Sequence, residues 1–397
     1  LSEHASLAYK ESLTTTVSQT LIDKQVDQER LQIHIGKNTL KQNTIKAENK
    51  AYASSAIYGV SSIQELIPHV EAELANIKTR IHKGKNGAAF REIKLYLDDI
   101  EPLVAAGIAC KIVFDKVFSF KDEDDSLLVN VAESVGNAIM QECQMRYYQR
   151  KAPGLLKVLK DNYWHSACGT QQKLTDVALM MKRADITWNK WARPIRVKLG
   201  NILVDVVIST SGWFTDYVQS VGGKRKTYLV PTPQFMDMKD KILSQAELFS
   251  AEQWPMLIPP RPWTQDSDGG YLLDEVMRGH DMVRRGNPAC IQGETPIEFL
   301  NRIQSVAYQV NPYTAHVAQT LYAKGWVVGS KDPKFIPHTA TEPLPTKPTD
   351  IDTNEVARKK YCREAAEVHN RNHALVRKSC RTRMTMKALE RFKDVDR

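Results

Sequence analysis

The chain has 397 residues, 42% hydrophobic and 25% charged, with a formal net charge of +9 and a sequence pI of about 9.1. That length and balance suit a globular protein with more than one substructure and exclude a disordered or collagenous chain. No run of about 18 apolar residues occurs, which argues against a membrane span, and the excess of basic residues favours a polyanionic partner.

The first two-thirds reads as helical. Apolar residues recur at three- and four-residue spacings, for example Leu127, Val131, Val135 and Ile139. The pattern predicts helices over 52–81, 90–98, 102–117, 125–150, 153–183 and 186–210, a helical bundle with short connections. Between the first two lies His82-Lys-Gly-Lys-Asn-Gly-Ala88, a basic turn. Its glycines let backbone lie against a surface and its lysines can reach phosphates, although turn chemistry alone accounts for every residue. Asp122-Glu-Asp-Asp125 reads as the solvated start of the next helix. Tyr147, Tyr148, Trp164, Trp188 and Trp191 have basic neighbours but recur at helical spacing, so packing outweighs base stacking.

Residues 213–231 change period. Two β-prone runs flank Gly222-Gly223, which predicts a β-hairpin with Lys224, Arg225 and Lys226 at its tip. Farther on, Trp254-Pro-Met-Leu-Ile-Pro-Pro-Arg-Pro-Trp263 holds four prolines in nine residues and cannot be helical. The framing tryptophans predict that it packs down, and Gly269-Gly270 permits a close approach. A helical pattern returns from Thr295 to Trp326 and is followed by a Pro-rich connector. Asp352-Thr-Asn-Glu355 predicts a capped helix start, an unbroken run follows to Val376, and a second run spans Thr382 to Phe392. From Glu355 to Arg397 there are thirteen Lys/Arg against six Asp/Glu. Arg377, Arg381 and Met384 share a face, and no acid neutralises Arg377-Lys-Ser-Cys-Arg-Thr-Arg383. A solvated helical face is the usual fate of such a run; here phosphate contact is favoured.

The six cysteines form no C-x-x-C pair and the ten histidines no H-E-x-x-H, which predicts no bound metal and a reducing compartment such as the cytoplasm.

The string at 254–263, with Gly269-Gly-Tyr271, closely resembles one in the phage-type single-subunit RNA polymerases, including their mitochondrial and chloroplast relatives. The resemblance extends to Lys347-Pro-Thr-Asp-Ile-Asp352 and Arg377-Lys-Ser379, which are similar to thumb motifs. It implies a mainly α fold: an N-terminal promoter-binding domain over 1–295 and a helical thumb over 296–397. It further implies that the loop carrying Lys83, Gly84, Lys85 and Asn86 enters the upstream minor groove, with Ala89-Phe90 matching the family and Asn86-Gly87 departing from it. The hairpin would melt the promoter, Val221 being the wedge candidate beside Gly222, Gly223, Lys224, Arg225 and Lys226. Arg371, Arg377, Lys378, Arg381 and Arg383 would brace the RNA–DNA hybrid.

The family's palm aspartates, with their Mg2+, and its fingers have no counterpart among these residues. The expectation is a polymerase split between thumb and palm, with a second polypeptide performing nucleotidyl transfer; a fragment is the other explanation. A stand-alone DNA-binding module and a basic scaffold are the competing readings. The polymerase reading alone predicts exposed apolar surface around 256–273 and 296–326, where palm and fingers would dock.

Overall fold

The computed structural model describes residues 17–84, 88–122, 124–163, 169–221, 223–264, 269–278, 293–324, 342–349, 351 and 354–392. It is mainly α with one antiparallel hairpin, as the sequence predicts. Two compact units are present, one of residues 31–252 and one of residues 1–30 with 253–397. No helix among the described residues is long and apolar enough to cross a membrane.

The 31–252 unit is built from the later part of α1 (Gln19–Asn49), then α2 (Ile57–His82), α3 (Ala88–Asp98), α4 (Pro102–Val117), α5 (Leu128–Lys151), α6 (Pro153–Tyr163), α7 (Thr170–Arg183) and α8 (Arg193–Ser211). Strands β1 (Phe214–Val221) and β2 (Lys224–Pro231) and helix α9 (Pro233–Glu247) complete it. Helices α5 and α8 cross at glycines. A Cβ on Gly136 would lie 1.9 Å from the Arg196 carbonyl oxygen, and one on Gly200 would lie 1.8 Å from that of Ala132. Backbone therefore touches backbone, and no larger residue fits at either position.

One aromatic cluster joins the bundle to the hairpin base. Phe114 sets its ring edge-on to Phe214 and Phe235, with centroids 5.4 and 5.6 Å away. Phe214 and Leu229 are buried at the hairpin's open end. Gly212, at φ +62°, ends α8 in the left-handed conformation that glycine adopts freely. Thr232 caps α9, its Oγ1 accepting the Phe235 N–H at 3.4 Å. A smaller cluster of Tyr148, Leu156, Val177 and Met181 packs against Trp188. The unit's two ends meet: the Glu252 N–H donates to the Gln32 carbonyl at 3.3 Å.

In the other unit, the start of α1 lies against the proline-rich connector. Ile22 packs with Met256, Ile258 and Leu272. Glu29 accepts the N–H groups of Leu272 at 3.0 Å and Leu273 at 2.6 Å, and Gln25 accepts that of Leu257 at 2.6 Å. Helices α10 (Asp274–Met277), α11 (Glu294–Ser305), α12 (Pro312–Ala323) and α13 (Glu355–Phe392) follow.

Several expectations need correction. The 153–183 pattern is two helices, and Gly169 stands at the N-cap of the second. The 186–210 helix starts only at Arg193, because Pro194 sits in its first turn and disfavours helical backbone before it. The 295–326 pattern is α11 and α12, broken ahead of Pro312. The last two runs are one helix, α13. Its cap is Asn354, whose Oδ1 accepts the N–H groups of Val356 and Ala357 at 3.1 and 3.2 Å. Asp352 lies outside the described residues. Helices α1 and α9 were not among those predicted.

Candidate nucleic-acid interface

Lys83 and Gly84 close α2, with Gly84 at φ +67° and both exposed. Lys85 and Asn86 lie outside the described residues. Among those described, no hydrogen bond or ion pair joins Lys83 or Gly84 to the hairpin.

The hairpin forms where the sequence places it. Phe214 pairs with Pro231 and Val221 with Lys224, so two residues separate the strands. Gly223 has φ +75°, as a tight hairpin turn requires. Gly222 itself lies outside the described residues. From Thr215 to Ser220 every residue of β1 is exposed, whereas β2 is half-buried from Lys226 to Tyr228 and buried at Leu229, so the arm packs on the body through its second strand. Tyr217 and Val218 are 54% and 57% exposed. Isolated two-stranded arms are marginally stable, and this one is braced along its second strand. The Leu229 N–H donates to the Ser126 carbonyl at 2.8 Å. Asp124 accepts from Lys226 Nζ at 3.0 and 3.2 Å and from the Tyr228 hydroxyl at 3.2 Å. The Lys226 and Tyr228 hydrogen bonds hold the Asp124 carboxyl below the usual range and raise Lys226.

The acidic turn is therefore tied to the hairpin and is not merely a solvated helix start. Asp125 continues the link, accepting from Lys116 Nζ at 2.5 Å and the Ser119 hydroxyl at 2.6 Å. Lys226 is committed to this brace, whereas Arg225 is exposed near the tip. Sequence reasoning missed Asp124 and Tyr228. The available signal was an acidic run too long for one helix cap.

Helix α13 buries Val368, Ser379, Thr382 and Met386 on one stripe. Arg377, Arg381 and Met384 are exposed. Arg371 is held by Glu342, its Nη2 2.9 Å from Oε2, and Asn372 bonds the Glu342 backbone at 2.8 Å on both sides. Arg383 reaches the Cys380 sulfur at 3.5 Å, and Lys378 belongs to the same helical stretch. Arg371 thus pins the 342 segment, whereas Arg377 and Arg381 face solvent.

The proline-rich connector is extended and packed down. Arg261 and Gly270 exchange both backbone hydrogen bonds at 2.8 Å. Asn301 on α11 receives the Trp263 N–H at 2.7 Å and returns a bond to its carbonyl at 2.9 Å. Gln304 accepts from the indole Nε1 at 3.1 Å. Gly269 is required because a Cβ there would enter the Trp263 ring at 2.7 Å. The Arg391 guanidinium lies 4.0 Å from the Trp254 ring centroid, a cation–π contact. The expected apolar surface is present in part. Phe299, Ile303, Val306, Tyr308 and Tyr313 are exposed, whereas Met256, Ile258 and Leu272 are buried.

Comparison with known proteins gives these features a context. The DNA-directed RNA polymerase N-terminal family matches residues 211–286, a span containing both the hairpin and the connector. The DNA-directed RNA polymerase of Enterobacteria phage K11 is 26% identical over 218 residues, 52% of this chain and 23% of that protein. T7 RNA polymerase of Escherichia phage T7 is 23% identical over 331 residues, 79% of this chain and 36% of that protein. The mitochondrial DNA-directed RNA polymerase of Mus musculus is 25% identical over 220 residues, 48% of this chain and 18% of that protein. The chain thus matches about a third or less of the length of these relatives. By the matched span and by these relatives, it is related to the N-terminal region of the phage-type single-subunit RNA polymerases.

Proposed function

We propose that residues 1–397 form the promoter-engaging part of a DNA-directed RNA polymerase acting in the bacterial cytoplasm. The hairpin is the observation that carries this reading: a first strand exposed from Thr215 to Ser220, Arg225 exposed near the tip, and a second strand braced to the body. Its exposed first strand suits contact with a duplex, where Val221 would part a base step at a few kcal/mol of unstacking. The loop at Lys83 and Gly84 would lie in the upstream minor groove, and Arg377, Lys378, Arg381 and Arg383 would contact the backbone of the RNA–DNA hybrid in a thumb over 296–397. Such contacts are sequence-independent and salt-sensitive.

In this reading nucleotidyl transfer belongs to palm and fingers outside these residues, carried by a second polypeptide that also holds the Mg2+. Two carboxylates and a metal pair would supply the chemistry there. The exposed apolar residues of α11 and α12 support a docking face for it.

Run-off transcription from a promoter of the parent genome tests this. It compares residues 1–397 alone, a polypeptide bearing palm and fingers alone, and the two mixed. Activity in the mixture only is the expected result. Failure of the mixture, together with tight salt-sensitive DNA binding by 1–397, would replace it with a non-catalytic DNA-binding module.

A further inference from the structure

Helices α5 and α7 and the extended segment 186–191 enclose a groove of about 830 Å³ in the 31–252 unit. That volume lies within the roughly 300–1,000 Å³ typical of small-ligand sites. Its α5 wall presents Asn137, Gln141 and Gln144, one helical stripe of amides where a core-facing stripe would ordinarily be apolar. Gln144 is buried and donates to the Tyr148 hydroxyl at 2.9 Å. Trp188 and Trp191 supply indole rings, anchored by packing against Tyr147 at 5.2 Å and Tyr96 at 4.8 Å.

The charge is one-sided. Among the described residues, Lys182, Lys190 and Arg196 line the groove and no carboxylate does. Glu133, the acid that reaches Arg196 at 3.8 Å, also pairs with Arg193 at 2.9 Å. Two buried donors of lining residues, Trp188 Nε1 and Arg196 Nε, have no acceptor among the described residues. Buried donors are ordinarily satisfied by protein, water or ligand.

We propose that this groove binds a nucleoside phosphate. Arg196 Nη1 donates to the Asn137 amide oxygen, so the donors left for a ligand are Trp188 Nε1 and Arg196 Nε, the indoles offer a base a stacking face, and the two exposed lysines with Arg196 meet the phosphates. The proposal is independent of the promoter reading, since it uses neither loop, hairpin nor thumb.

The test is calorimetric titration of residues 1–397 with ATP, adenosine and inorganic phosphate. One saturable site for ATP is expected. The double variant Lys182→Ala/Lys190→Ala, which alters only exposed side chains, should weaken ATP at least tenfold and leave adenosine within twofold. Trp188→Phe should weaken both ligands, with the melting temperature measured alongside. Absence of saturation by ATP at millimolar concentration would overturn the proposal, as would unchanged ATP affinity in the lysine variant. A 12-nucleotide single strand that bound more than tenfold tighter than ATP, and bound more weakly to the same variant, would assign the groove to a strand instead.

Discussion

Asp124 and Lys226, 102 residues apart in the chain, meet at 3.0 Å and tie the hairpin's second strand to the turn before α5. The pairing separates the basic tip residues by task. Lys226 braces, and in the promoter-engaging reading proposed above Arg225, exposed near the tip, would be left for a phosphate backbone. Removing one phosphate-neutralising cation should lower the slope of log affinity against log salt by about 1. Arg225→Ala is therefore expected to reduce the slope of promoter binding by that amount. Lys226→Ala should leave the slope unchanged while speeding hydrogen exchange of the β2 amides.

The same pair has a pH signature. The Asp124 carboxyl is held low in the folded state by Lys226 and Tyr228. Its contribution is present above the ordinary Asp value, near about 4, and is lost as pH falls through the lowered folded value. Tyr217 and Tyr228 are cross-strand partners, so their NMR cross-peaks should fade below about pH 4. In Asp124→Asn that acid-dependent fading should be absent.

Glu29 carries the opposite sign. Burial raises its carboxyl, and the Leu272, Gln25 and Leu273 hydrogen bonds and Arg261 offset this only in part. A raised folded value means stability that is complete below the ordinary Glu value, near about 4.3, and is lost as pH rises through the folded one. The urea midpoint of wild type, measured relative to Glu29→Gln, should therefore increase as pH is lowered from neutral toward the ordinary Glu value. A difference that does not vary with pH would contradict it.

Gly136 and Gly200 make a sharper mutational prediction. Each replacement by Ala drives a methyl group into carbonyl oxygen at under 2 Å. Overpacking costs typically 1–3 kcal/mol, with melting falling by roughly 2–4 °C per kcal/mol in a unit of this size. The double variant should cost less than the sum, because the helices separate once for both. Calorimetric melting of the three variants checks this.

Asn301→Ala should release the connector. It removes the partners of both the half-buried Trp263 N–H and its carbonyl, each hydrogen bond contributing about 0.5–1.5 kcal/mol. The expected outcome is faster proteolysis within 254–264, with melting of the 31–252 unit unchanged.

What the sequence revealed depended on whether chemistry or periodicity carried the signal. The hairpin was legible because Gly222-Gly223 and the β-prone flanks act locally. Proline-rich 254–263 was legible because ring constraints forbid a helix. Helix α1 was not, because its buried stripe runs Ile22, Gln25, Glu29, Gln32, Gly36, Thr44 and Glu48. The spacing is helical but the residues are mostly polar, so no apolar period exists to be read. Several find distant partners instead, as Glu48 does in Tyr58 at 2.9 Å and Lys239 at 2.7 Å. The Asp124 brace was hidden for the same reason: its partners lie about a hundred residues away and no local spacing encodes them.

The hydrogen bond between Gln32 and Glu252 has a consequence for how such a protein can be rebuilt. The chain enters the 31–252 unit and leaves it at one point, so that unit is topologically an insertion whose ends are already joined. It can be exchanged for a counterpart bearing a different hairpin, provided the replacement continues helix α1 past residue 30 and returns at 253. Whatever the hairpin engages would then be inherited through a single cassette.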